Sequence, residues 1–407
     1  MKPLMHLYTK EEIKLILFFV PTVISTLAIF QGDTTLAPPI VEKTLSLVNW
    51  GCFLALLLFC NFKKIWNPIV IVLALMVFLM RSIHVAPGNE VRLSGVLMLL
   101  LMIVFSTFKR EEIHVLLGWF RKYLVAMSVV GIIISLDFLV GLGLPHETVE
   151  YYGLNQAVFY ENYHFSYLFV DGDGIRLCGL FNEPGYMGTI SALILIVEEL
   201  NLKRIGNIVI FIAGCFTLSL AFFFLIVVGA FAKAVSDRKA MLKLLSVLCV
   251  LIIGIMIFDN NNVVKDFLGE QLEYDKKERK IGGHSREDDS FIKVLNEFNE
   301  SGPWLLGYGT GYCQKKGVIR TASIRVTFVE WGYLGSAMVY GLLLMAGLID
   351  SKKNKNALIF LMCFMLSIIQ RPFVWSTAYF VIFWGGIYHL RNLDYVYKLK
   401  SVSKKLI

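Results

Sequence analysis

Charge is what this chain has least of. Only 17% of its 407 residues are Asp, Glu, Lys or Arg, against about a quarter in soluble domains. With 57% hydrophobic residues and a mean hydropathy of +0.66, the shortage excludes an ordinary soluble domain and points to a polytopic membrane protein. No internal repeat or low-complexity segment stands out either. No small-residue cleavage site follows the opening "MKPLMHLYTKEEIKLILFFV", so no cleavable leader is expected there. The seven cysteines form no zinc spacing; five fall in apolar runs as small core residues. Cys178 and Cys313 lie in polar segments, one in each of two long loops, where a disulfide between them is an open possibility.

What is present is a series of apolar runs of spanning length. They fall near 13–30, 44–60, 65–80, 91–107, 123–144, 184–200, 205–219, 220–235, 241–258, 325–349, 356–370 and 373–390. The stretch "IVIFIAGCFTLSLAFFFLIVVGAFAKAV" is too long for one helix and is split at "TLSL". With both termini cytoplasmic, the inside segments hold 23 Lys and Arg. The short outer loops hold only Lys43, Arg81, Arg92 and Arg371. That bias fits twelve spans, and it makes the net charge of +8 an inner-face lipid anchor rather than a sign of nucleic acid.

The expected layout is five helices over 1–144, a first outer loop at 145–183, and helices six to nine over 184–258. A second outer loop follows at 259–324, then the last three helices over 325–390 and a cytoplasmic tail at 391–407. In the first loop, aromatic and β-branched runs flank "DGDG", which reads as a β-hairpin with Arg176 on a strand. The turn reading outweighs a metal-binding D-x-D pair, since no acid or histidine is placed to complete such a site. Pro184 suits a first helical position, capped by Asn182 or Glu183. In the second loop Phe291, Val294, Leu295 and Phe298 recur at helical spacing, behind a capping box of Ser285 and Asp288. Gly302-Pro303 ends that helix and "GYGTGY" follows.

Both loops fall on the same outer face, so a site where they meet is the expectation. Arg176, Arg286, Arg320 and Arg325 sit in or beside them, and guanidinium forks bind phosphate oxygens bidentately. The plainer reading pairs each with a loop acid or a lipid headgroup. Gly307, Gly309 and Gly311 suit a tight turn, or a nest of N–H groups around an anion. Glu183 is either a simple helix cap or a general base towards a sugar hydroxyl, with His284 as the alternative base. Glu330 lies inside the tenth predicted span and needs a partner such as Arg325 or Arg320; Asp137 poses the same question in the fifth. His146 and His164 read as ordinary loop residues. Tyr151, Tyr152, Phe159, Tyr160 and Tyr163 are placed to stack on sugars, though interfacial aromatics are common without a ligand.

Three stretches in this order resemble the O-antigen polymerase and O-antigen ligase superfamily of bacterial inner membranes. "RLCGLFNEPGYMG" is similar to its arginine–glycine–phenylalanine–Glu/Asn-Pro segment. "SREDDSFIKVLNEFNESGPWLLGYGTGY" is similar to its arginine, amphipathic helix and glycine-rich turn. "SIRVTFVEWGYLG" is similar to its re-entry helix with Glu-x-Gly-x-x-Gly. The resemblance implies an all-α, GT-C-like fold of about twelve transmembrane helices and no metal or nucleotide cofactor. It implies a donor and an acceptor that are both undecaprenyl-pyrophosphate-linked oligosaccharides, with a chain-length regulator as a protein partner. Arg176 and Arg286 match its two functional arginines by motif position. Two departures stand out: Leu220 follows the serine of "TLSL" where the family often has arginine, and Thr321-Ala322 stands where ligases carry histidine. The second favours polymerase over ligase.

Overall fold

The computed structural model describes residues 9–27, 39–90, 94–153, 156–171, 174–235, 274–275, 280–281, 289–318, 323–352 and 354–403. The ninth predicted span at 241–258, the Ser285–Asp288 box, and His284, Arg286 and Arg320 lie outside them.

The described chain is predominantly helical with a small sheet. The first helices are α1 (Lys10–Ile24), α2 (Pro39–Phe59), α3 (Pro68–Phe78), α4 (Ser94–Phe105) and α5 (Arg110–Val140). A π turn, Leu79–Ile83, extends α3. Strands β1 (Glu147–Gly153), β2 (Gln156–Asn162), β3 (Tyr167–Asp171) and β4 (Gly174–Gly179) follow, then α6 (Pro184–Val197), α7 (Ile205–Phe216) and α8 (Leu220–Ala234). The short strands β5 (Tyr274–Asp275) and β6 (Lys280–Ile281) precede α9 (Asp289–Ser301), α10 (Tyr312–Lys315), α11 (Ile324–Ser351), α12 (Lys355–Gln370) and α13 (Thr377–Ser403).

Among the described residues three helices, α2, α5 and α11, are long and apolar enough to cross a membrane, and six further apolar helices are shorter. Large side chains such as Leu47, Leu58, Ile205 and Val235 are more than 70% exposed, a surface suited to lipid rather than water. At the centre runs α6, buried at every one of its residues, as expected of a helix that is apolar all round.

Two predicted boundaries move furthest. The fifth helix starts at Arg110, not near 123, because "REEIHVLLGWFRKY" stays helical through its charges. Lys14 on α1 contacts both carboxylate oxygens of Glu112 at 3.1 Å, which holds this charged turn against its neighbour. The last helix runs on to Ser403, through most of the segment expected as a tail. The split at "TLSL" is observed: α7 stops at Phe216, Leu218 takes a left-handed φ of 44°, and α8 starts at Leu220.

The first loop holds a four-stranded antiparallel meander, β1-β2-β3-β4, in place of a single hairpin. Asp171 pairs with Gly174 across the expected turn, and Phe169 with Arg176. β4 rests on α5, where Gly131 leaves room for Leu177. Cys178 packs with Tyr160 and Tyr167 in the sheet, while Cys313 belongs to the cluster of Phe291, Val294, Phe298, Val318 and Val329. Both cysteines are buried free thiols in separate clusters, so no disulfide joins the loops.

Candidate functional site

The α6 N-terminus sets the first part of the site. Glu183 occupies the N-cap position in extended conformation, but its side chain makes no capping bond. Instead its Oε2 lies 2.6 Å from Nη2 of Arg371, which follows the last residue of α12. Arg371 is only 3% exposed. Its guanidinium lies across the first turn of α6, where a Cβ on Gly185 would collide with it. A larger residue there would have to displace the guanidinium. Removing Glu183 would strand the buried Arg371 cation, at a cost of about 3–5 kcal/mol.

Arg176 reaches from β4 to the helix break beside α6. Its Nε donates to the Thr217 carbonyl at 3.2 Å and its Nη2 to that of Leu218 at 3.3 Å. These carbonyls belong to the end of α7, which a cation complements. The same break touches α6 at Gly188, where an added Cβ would meet Thr217 Oγ1 at 2.9 Å. Arg176 and the Glu183–Arg371 pair thus flank the first turn and a half of one helix.

Aromatic rings join this part to the second loop. Tyr186 contacts Phe373 at 5.1 Å between centroids, Phe373 contacts Trp375 at 5.6 Å, and Trp375 contacts Trp331 at 6.1 Å. The Arg81 guanidinium lies 3.9 Å from the Trp375 ring centroid. Trp331 Nε1 donates to Thr310 Oγ1 at 2.8 Å, within "GYGTGY".

That turn already holds an anion of its own. Gly307, Gly309 and Gly311 all have positive φ, as the nest reading requires. However, the Gly311 and Cys313 N–H groups donate to Oε1 of Glu330 at 2.9 and 3.3 Å. Tyr308 N donates to Val329 O, Gly309 N to Glu330 O and Thr310 N to His84 O. The Glu330 carboxylate thus accepts from backbone donors of the turn, and the turn's donors go to protein groups. Burial, with the Glu330 carboxylate nearby, pushes the Cys313 thiol pKa well up. Arg325 sits exposed in the first turn of α11.

Two of the sugar-stacking candidates, Tyr160 and Tyr163, make structural contacts. Tyr160 is buried and its hydroxyl donates to Asn182 O at 3.1 Å. Tyr163 is buried and donates to Asp137 Oδ2 at 3.0 Å, while Leu144 N donates to Asp137 Oδ1. Asp137 therefore anchors the sheet to α5. Burial and this carboxylate push the Tyr163 phenol above its ordinary value. His146 stacks on Tyr163 at 4.7 Å. Phe159 is 39% exposed and remains accessible.

Sequence reasoning missed Arg371 and Arg81 as site residues, having counted them only for topology. The available signal was an arginine inside the apolar run "IIQRPFVW", where an ionisable residue needs a partner. Among the described residues no group of three or more His, Cys, Asp or Glu is placed to hold a metal ion. Comparison with protein-family descriptions, curated proteins and solved structures finds no match to the chain.

Proposed function

We propose that the chain is a glycosyltransferase of the bacterial inner membrane, an O-antigen-type polymerase that joins oligosaccharide repeat units on the periplasmic face. The observation that carries this reading is the convergence of Arg176, Glu183 and Arg371 on the first turns of α6. In it the nine described apolar helices, with α1, α13 and the predicted span at 241–258, make twelve spans with both termini cytoplasmic. The sheet and α9 then lie outside the membrane.

The donor is the growing chain on undecaprenyl pyrophosphate, and the acceptor is a lipid-linked repeat unit. An acceptor hydroxyl attacks the anomeric carbon of the donor. The carbon–oxygen bond to the diphosphate breaks, and the hydroxyl proton passes to the Glu183 carboxylate. The charge that develops on the leaving diphosphate is met by Arg176 and by Arg286, each such donor contributing on the order of 3 kcal/mol. Arg320, Arg325 and His284 complete the basic rim in this reading. The break in α11 at Gly332 gives no support to a transporter, because the backbone of 304–309 fills it.

Deleting the gene in its host and resolving lipopolysaccharide on a gel tests the reading. Loss of the ladder to core plus one repeat unit is expected. Core alone, with polymer stranded on undecaprenyl carrier, would identify a ligase, and an unchanged ladder would refute both.

A further inference from the structure

Among the described residues, the groups gathered around Arg371 carry more positive charge than Glu183 answers. A helix N-terminus carries about half a positive charge, and the Arg371 guanidinium lies against that of α6. Arg176 brings a second guanidinium to the break that touches Gly188. Glu183 is the carboxylate paired with Arg371, and its side chain is 31% exposed. The cation is buried and the anion sits on the accessible side.

Donors are also left over. Arg371 Nε and the Tyr379 hydroxyl are buried with no hydrogen-bond partner among the described residues. Tyr379 is 1% exposed and within electrostatic reach of both Arg371 and Glu183. Each unanswered buried donor costs about 1–3 kcal/mol. The side-chain oxygens of Asn182 and Gln370 lack partners too, and an amide turned by 180° presents NH2 at the same place. One carboxylate cannot serve this set, whereas an anion with more oxygens can.

Resting on the reading above, we propose that Glu183 is a resident stand-in for a diphosphate, and that Arg371 is a binding residue for the diphosphate of the lipid carrier. In the unliganded chain the Glu183 carboxylate closes on Arg371. The arriving diphosphate takes over Arg371 and its leftover donors, and Glu183 is released towards the wet side. The carboxylate is then free for the acceptor hydroxyl only when a donor is in place.

The test is binding of undecaprenyl pyrophosphate to the full chain in phosphatidylcholine nanodiscs. Removing an internal competitor raises the binding-competent fraction, so Glu183→Gln should bind about tenfold more tightly than the unaltered chain. Arg371→Lys loses the fork and should bind about tenfold more weakly. Glu183→Asp, which keeps the charge on a shorter arm, should fall between the unaltered chain and Glu183→Gln; it gives the deciding comparison if Glu183→Gln does not fold. Equal or weaker binding by the folded Glu183 variants overturns the proposal. So does equal tightening towards phosphatidylglycerol, which would make this a general anionic-lipid site. A collapsed ladder on gene deletion with no gain on Glu183 substitution keeps the polymerase and removes the stand-in. An unchanged ladder alongside the gain removes the polymerase and keeps the diphosphate site.

Discussion

Gly307 and Gly332 sit back to back, each occupying the space where the other would carry a side chain. Both have positive φ, and Gly332 interrupts α11. The helix groups freed by the interruption are bonded by the glycine loop: Tyr308 N to Val329 O, Gly309 N to Glu330 O, Tyr333 N to Trp304 O and Leu334 N to Leu305 O. Alanine at either position meets backbone that cannot move aside and also takes a strained conformation. Gly307→Ala and Gly332→Ala should each lower stability by about 2–4 kcal/mol. Gly317 also has positive φ but open space around it, so Gly317→Ala should cost only about 1 kcal/mol. Thermal unfolding in detergent, followed by tryptophan fluorescence, ranks the three.

Glu330 holds the short helix α10 by its backbone donors. Glu330→Gln exchanges a charged acceptor for a neutral one and should cost about 1–2 kcal/mol. It also removes one cause of the raised Cys313 pKa and loosens the cover over that thiol. Cys313 should therefore resist maleimide at pH 8 in the unaltered chain and label faster in the variant. Labelling that is equally slow in both would contradict the link.

Tyr163→Phe leaves Asp137, which is 2% exposed, without its phenol donor. A loss of about 1–3 kcal/mol is expected. In the unaltered chain the fold favours the neutral phenol, because burial and Asp137 raise its pKa. The stability this contributes is complete below the unfolded value, about pH 10, and is lost as pH rises from there through the folded value. Unfolding free energies between pH 8 and 11 should fall less steeply for Tyr163→Phe than for the unaltered chain.

Arg176 separates folding from function. Arg176→Lys keeps a cation but cannot fork to the Thr217 and Leu218 carbonyls. Under the proposed function it should abolish the ladder at a stability loss near 1 kcal/mol. A wild-type-length ladder from this variant would remove Arg176 from the site.

Most helices were legible because an apolar run of spanning length has few alternative readings, and the break at "TLSL" was legible from length alone. The start at Arg110 was hidden because charges there are answered by another helix: Lys14 lies 98 positions away from Glu112. The same distance problem hid Arg371, whose partner Glu183 is 188 positions away. Glu183 and Arg176 were found because local chemistry marks them, as a cap before proline and as a cation on a strand. Glu330 was noticed as an acid needing a partner, but the Gly311 and Cys313 N–H groups that it accepts from carry no side-chain signature. The sheet outgrew its predicted hairpin because only the Asp-Gly turn signals itself strongly in sequence.

The bonding between loop 304–309 and the interrupted α11 constrains how the chain can be exchanged with others. Neither segment is a self-contained cassette, since each supplies the other's backbone partners. The turn after α3 is the third member, through Ala86 N to Thr310 O and Thr310 N to His84 O. A chimera that imports a foreign second loop to alter specificity should fold only if residues near 84–86 and 329–335 travel with it.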